Sequence, residues 1–222
     1  MERAVVNTLG YGEEWTAMAR KATGPTRRGA PTLTAADWAE AALQLIAEKG
    51  LGALTVSALA TRLGVTKGSF YWHFQGRSDL LAAALTHWEG RATSDNIRGL
   101  DAVGDHRTRL ALILDAASRP PRSRSLYAAL AEAAEDAIVR KVLNRVASAR
   151  IAYLETCYTN LGFPPALARN YAVLAYAAYR GLLQLAHEAP GALPADWSSY
   201  PEVVRTTLIP DTAPAARGRK RP

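Results

Sequence analysis

Residues 64–80 read GVTKGSFYWHFQGRSDL, and Phe70, Tyr71, Trp72, His73 and Phe74 place five rings in a row. So many rings in one short segment cannot all serve a core. Helical spacing separates them. Phe70 and Phe74 stand four residues apart and share a face of a short helix expected over Thr66–Phe74. With Val65 at the preceding turn, they are assigned to the core. Lys67, Gly68 and Tyr71 fall on another face, and Ser69, Trp72 and His73 fan out beside it. That face carries cations, hydroxyls and rings but no acid. Lys, Tyr and His can contact phosphates, and Lys and Ser can reach base edges. Gly68 lets a groove approach the backbone closely. Trp72 stays open between two readings, core edge or contact with a partner.

The flanking sequence supplies the frame for this short helix. Upstream, Trp38, Ala41, Ala42, Leu45 and Ile46 repeat with helical period over residues 35–49. Thr34 is expected to cap that helix, Asp37 lies in its first turn, and Gly50 ends it. A second helix is expected over residues 55–63, with Val56, Leu59, Ala60 and Leu63 on one face and Gly64 at its end. Gly64 permits the positive φ of a sharp turn, and Thr66 is expected to cap the third helix. Two short helices joined by LGVT read as a helix-turn-helix. A fourth helix begins near Arg77 or Ser78 and carries Leu80, Leu81, Ala84, Leu85 and Trp88 on its apolar side.

The block AALQLIAEKGLGALTVSALATRLGVTKGSFYWHFQGRSDLLAAAL resembles the TetR family of bacterial transcriptional regulators. The resemblance covers about residues 34–85. It implies an all-α chain: an N-terminal three-helix DNA-binding domain, then a larger helical domain that binds a small-molecule effector and dimerises. It implies phosphate contacts from Thr55, Thr66, Tyr71 and His73, and base-proximal positions for Lys67, Gly68 and Ser69. Arg77 stands where the family usually has Lys at the start of helix four, contacting phosphate. Gly76 departs from the Ser or Thr cap common there. Arg27 and Arg28, in an extension longer than most, are placed for a minor-groove arm.

Charge agrees with a polyanionic partner: the 222-residue chain carries a formal net charge of +7 and a pI near 9.7. The single cysteine, Cys157, forms no intramolecular disulfide, and the four histidines show no metal-ligand spacing. No metal and no cofactor is nominated. No paired carboxylates flank a nucleophile, so the chain is not read as an enzyme. No secretory signal pattern and no run of about 18 to 20 apolar residues is found, so the chain is expected to be soluble and cytoplasmic, on the nucleoid when DNA-bound.

The sequence divides into an extension and linker (1–33), a helix-turn-helix domain (34–80), a helical effector-binding and dimerisation domain (81–209) and a basic tail (210–222). Within the third segment, long helices are expected over about 135–160 and 165–188, broken by GFPP. Pro120 and Pro121 give an earlier break. A last helix opens with a capping-box spacing, Ser199 and Glu202. The 165–188 helix has two apolar stripes. Leu167, Tyr171, Leu174, Ala178, Leu182 and Leu185 form one, expected to face its own domain. Ala168, Ala172, Ala175, Tyr179 and Leu183 lie on the other, expected to meet a second subunit. Trp88, Tyr127, Tyr153, Cys157, Tyr176 and Tyr179 are candidates to wall an effector pocket. The expected function is a homodimeric repressor that binds a palindromic operator in double-stranded DNA and is released by a small molecule. An activator, or a DNA-binding protein that senses no ligand, is the alternative.

Overall fold

The computed structural model describes residues 33–119 and 126–211. The expected arm with Arg27 and Arg28, the break at Pro120 and Pro121, and the basic tail beyond residue 211 lie outside the described residues. Every described element is helical. The chain is all-α, as the periodicity implied, and forms two compact units.

The first unit comprises described residues 33–94 and 126–146. Its helix α1 spans Ala35–Lys49 and opens with the expected cap. The Thr34 hydroxyl accepts the Asp37 amide at 3.3 Å, and Asp37 accepts the Thr34 amide at 2.7 Å. The Thr34 amide foremost, and the Thr34 hydroxyl donating to the same carboxylate oxygen at 2.7 Å, hold the Asp37 carboxyl below its ordinary value. α1 buries more than its predicted stripe: Ala39 and Leu43 are covered as well. The reason is that α1 packs on both α4 and α7, so two flanks are covered.

A 3₁₀ turn, Leu51–Ala53, leads to α2, Val56–Leu63. Gly64 then takes the left-handed conformation, φ 68° and ψ 31°. Its amide donates to the Thr61 carbonyl and that of Val65 to the Ala60 carbonyl, a paired closure that absorbs orphan carbonyls. α3 is shorter than expected. It covers Lys67–Phe70 and passes through turns to Phe74. Thr66 occupies the cap position, but its hydroxyl makes no capping bond. With no cap bond and a glycine inside, the segment lacks the local support for a longer helix. Burial of Phe70 and Phe74 fixes it in place.

α4, Arg77–Glu89, buries Leu80, Leu81, Ala84, Leu85 and Trp88, all five of the predicted side. α7, Leu126–Glu132, sets Tyr127 against Trp88 at 5.6 Å. α8 begins at Ala137 and contributes Val139, Val142 and Val146, and its Arg145 forms a bidentate pair with Glu89.

The second unit comprises described residues 95–119 and 147–211. It holds α5 (Asn96–Asp101), α6 (His106–Ala117), the rest of α8 to Asn160, α9 (Pro165–Glu188) and α10 (Tyr200–Leu208). A π-helical turn, Gly90–Asp95, and α5 occupy a stretch to which the sequence assigned no element. Gly162, φ 86°, and the two prolines after Phe163 make the break before α9. The core joins Leu110, Leu114, Cys157 and Tyr158 with Ala168, Ala172 and Ala175. The Tyr158 hydroxyl donates to the Leu208 carbonyl at 2.9 Å and seats α10. The expected Ser199 cap does not form. Ser199 already has helical φ and ψ, so its hydroxyl makes no cap bond, and Glu202 pairs with Arg205 instead.

The two stripes of α9 do not divide as expected: of the first, Leu182 is buried and Leu167 and Tyr171 pack on the core, while Leu174, Ala178 and Leu185 are exposed. Ala168, Ala172 and Ala175 are buried inside the chain, with Tyr179 and Leu183 half-buried beside them. Their small side chains let α9 approach its own core closely. The open face carries Val173, Leu174 and Leu185, 43 to 53% exposed, around exposed Ala177 and Gly181.

The fold sets a contrast between neighbouring rings. Phe70→Ala is expected to cost about 3–5 kcal/mol, since it removes a fully buried ring. Trp72→Ala should stay within about 0.5 kcal/mol. Urea unfolding of both variants checks this, and equal losses would contradict the burial assignment.

Candidate nucleic-acid interface

Four local features assemble one surface on the first unit. Thr55 caps α2, its hydroxyl oxygen accepting the Ala58 amide at 3.1 Å, which leaves the hydroxyl proton to donate outward. Thr66 is exposed, and its carbonyl accepts both the amide and the hydroxyl of Ser69, at 3.2 and 2.8 Å. That pair of bonds ties Ser69 back against the first turn of α3. Lys67 and Gly68 are exposed on that turn. Tyr71 is 64% exposed, yet its ring meets Phe70 edge-on at 5.2 Å, so the ring is anchored on one side.

Trp72 is 87% exposed and is no part of the core edge. His73 is half-buried beside Phe74, near enough to Asp37 for a charge interaction. Arg77 lies at the first position of α4, and its guanidinium donates to the carbonyls of Leu54 and Leu51 at 2.9 and 3.1 Å. Thr55, Thr66, Lys67, Gly68, Ser69, Tyr71, Trp72, His73 and Arg77 thus fall at the cap of α2, on α3 with the cap and turn residues that flank it, and at the start of α4.

Nearby acids are each engaged. Arg62 of α2 grips Glu48 of α1 through two bonds of 2.7 Å and reaches Gln44 at 3.3 Å. Hydrogen bonding from Arg62 lowers the Glu48 carboxyl, and the same bond raises Arg62. Asp79 accepts the Gln75 amide at 3.1 Å, standing in for the side-chain cap that Gly76 lacks. Arg62 was not singled out in the sequence, because its partner lies fourteen residues away on another helix.

Nothing among the described residues requires glycine at 68. Its φ is not positive, and an added Cβ would meet only the Thr66 hydroxyl at an ordinary 3.6 Å. Glycine in a helix costs about 0.5–1 kcal/mol relative to Ala.

Residues 39–84 match the model of the family described as bacterial regulatory proteins, tetR family. The match spans the helix-turn-helix and parts of α1 and α4, so this stretch is similar to that family. The HTH-type transcriptional regulator SrpR of Pseudomonas putida is 39% identical over 46 residues, 21% of this chain and 22% of that protein. HTH-type transcriptional regulator TtgR, also of Pseudomonas putida, is 32% identical over 96 residues, 39% of this chain and 46% of its own length. The chain therefore spans less than half the length of these two relatives. Structural likeness runs further. A transcriptional regulator from a Rhodococcus species superposes with a TM-score of 0.60 at 23% identity, over 79% of this chain and 92% of that one. The regulator FadR of Bacillus subtilis, solved with stearoyl-CoA, gives 0.56 at 17%, over 78% and 96%. At such identities the likeness establishes the fold.

The six effector candidates fall into pairs. Trp88 and Tyr127 are buried together in the first unit. Tyr153 and Cys157 lie one turn apart on α8, and Tyr176 and Tyr179 face each other at 6.3 Å on α9. Tyr153 donates to Asp101 at 3.0 Å, while Arg109 donates to the same carboxylate at 3.3 Å and to the Val103 carbonyl at 2.8 Å. Burial, chiefly, raises the Tyr153 and Tyr158 phenols and pushes the Cys157 thiol up to about 11. Among the described residues no group of three or more His, Cys, Asp or Glu forms a metal-binding cluster, and no helix is long and apolar enough to cross a membrane.

A buried thiol raised this far holds very little thiolate at pH 8. Native Cys157 is expected to resist iodoacetamide there and to react only once the chain unfolds. Mass spectrometry of the alkylated protein reads this, and rapid native labelling would contradict the burial.

Proposed function

We propose that the chain is a homodimeric transcriptional repressor that reads a palindromic operator and is released by a small molecule. One observation carries the DNA-reading part: an acid-free, exposed face formed by Lys67 and Gly68 of α3 and by Tyr71 and Trp72 in the turn after it, held from behind by Phe70. In this reading Thr55, Thr66, Tyr71 and His73 contact phosphates on either side of a major groove. Lys67, Gly68 and Ser69 approach the base edges, and Trp72 lies against the backbone. The net charge of +7 draws the protein to the duplex.

The division of labour places DNA binding in residues 34–80 and effector binding and dimerisation in 81–209. Assembly uses the open face of α9, where Ala177 and Gly181 allow close approach and Val173, Leu174 and Leu185 supply apolar area. A two-fold axis there makes the contact isologous, and an operator read in successive major grooves asks for recognition helices about 34 Å apart, one turn of DNA. The FadR likeness, whose structure holds stearoyl-CoA, favours an effector with an apolar body. Such a ligand acts by binding better to the conformation whose recognition helices are wrongly spaced. Its site of action is the cytoplasm, on the nucleoid.

Fluorescence anisotropy on DNA flanking the chain's own gene tests this. Tyr71→Ala should weaken binding, and equal affinity would remove Tyr71 from the interface. Lys67→Ala should reduce the salt slope by about one. Gly68→Ala should stabilise the fold by about 0.5–1 kcal/mol while weakening DNA binding, because the added methyl lies between backbone and groove. Leu174→Glu should shift the dimer toward monomer in light scattering, and an unchanged mass would place the interface elsewhere.

A further inference from the structure

Arg77 sits awkwardly for a residue that only offers charge. It is the first residue of α4, where the helix dipole is positive and a cation is unfavourable. It is not left loose there. Its Nε donates to the Leu54 carbonyl at 2.9 Å and its Nη2 to the Leu51 carbonyl at 3.1 Å, across 23 and 26 residues of sequence. Leu51 opens the 3₁₀ turn that feeds α2 and Leu54 is the capping residue just after it, its amide closing the turn on the same Leu51 carbonyl at 3.1 Å. Leu54 is fully buried, and the next residue, Thr55, caps α2.

We infer that Arg77 is a positioning residue: its guanidinium clamps the start of α4 to the turn that launches α2 and thereby sets the angle at which α3 is presented. The inference rests on the DNA-reading function proposed above and concerns how that same surface is held. The planar fork satisfies two carbonyls at once and keeps further N–H donors for a phosphate, so the cation is fixed before DNA arrives. Lysine, a point charge on a flexible stem, keeps the charge and loses the clamp. The phosphate-facing ends of α2 and α4, Thr55 and Arg77, then move as one piece.

The test compares full-length wild type, Arg77→Lys and Arg77→Gln, well below their melting temperatures. In the free proteins, hydrogen exchange is read at the Ala58 and Leu59 amides, which bond to Thr55. Both variants should exchange faster than wild type, by roughly tenfold, as expected for loss of charge-assisted bonds. Affinity is then measured for a duplex selected by wild type from a random pool, and for a scrambled duplex of equal length. The ratio of the two should fall about tenfold in both variants. Arg77→Lys should lose less affinity for the scrambled duplex than Arg77→Gln, since it keeps the charge. A wild-type ratio in Arg77→Lys would overturn the inference, leaving a point contact with phosphate. So would a lowered melting temperature with an unchanged ratio, since that describes stabilisation without positioning. If wild type selects no duplex, the DNA-reading function fails, and the exchange rates still decide the clamp: faster exchange supports it and unchanged exchange removes it.

Discussion

The edge-to-face contact between Trp38 and Phe70, 5.4 Å between centroids at 77°, is the constraint on which the first unit depends. Both rings are fully buried. α3 is a single α-turn, far too short to persist alone in water. It exists because Phe70 is captured by α1 and Phe74 turns inward beside it at 5.5 Å. The capture has a cost. The Trp38 indole nitrogen is buried without a hydrogen-bond partner among the described residues, a penalty of about 1–3 kcal/mol. Burying two large rings offsets it, since each contributes on the order of 1.5–3 kcal/mol.

That arrangement explains the crowding of rings in one segment. A four-residue helix has room for few anchors, so each must be large. It also has room for few contacts, so the outward positions must be rich as well. Tyr71 illustrates the double use: one edge leans on Phe70 while most of its surface faces solvent. Trp72 takes the opposite course from Trp38, exposed where the other is enclosed. Two residues of one type thus have unrelated roles, set by which face of which helix carries them.

Much of this was legible because it is local. The Thr34–Asp37 cap, the Gly64 turn, the five buried positions of α4 and the bounds of α9 all derive from spacing, glycine and proline. Three kinds of feature were not legible. Helix strength near α3 depends on caps that compete with turns, so Thr66 sat at a cap position without capping. Facing on α9 depends on which stripe the rest of the chain covers, and two apolar stripes give no local answer. Long-range polar contacts leave no periodic trace: neither the Arg62 grip on Glu48 nor the Arg77 clamp on Leu51 and Leu54 has a local spacing that reveals it.

Those contacts also shape the electrostatics of the first unit. Asp37 and Asp79 accept amides at helix starts, where negative charge is favoured by the dipole. Glu48 is neutralised by Arg62, Glu40 lies 3.3 Å from Arg91, and Glu89 is clasped by Arg145. As ion pairs at partly exposed sites these contribute little to stability, about 0–1 kcal/mol each. Their larger effect is on the field. Each of these carboxylates is held against a cap or a cation on its own unit, so none stands uncompensated beside Lys67. A polyanion approaching α3 would thus meet its one lysine with these acids already compensated.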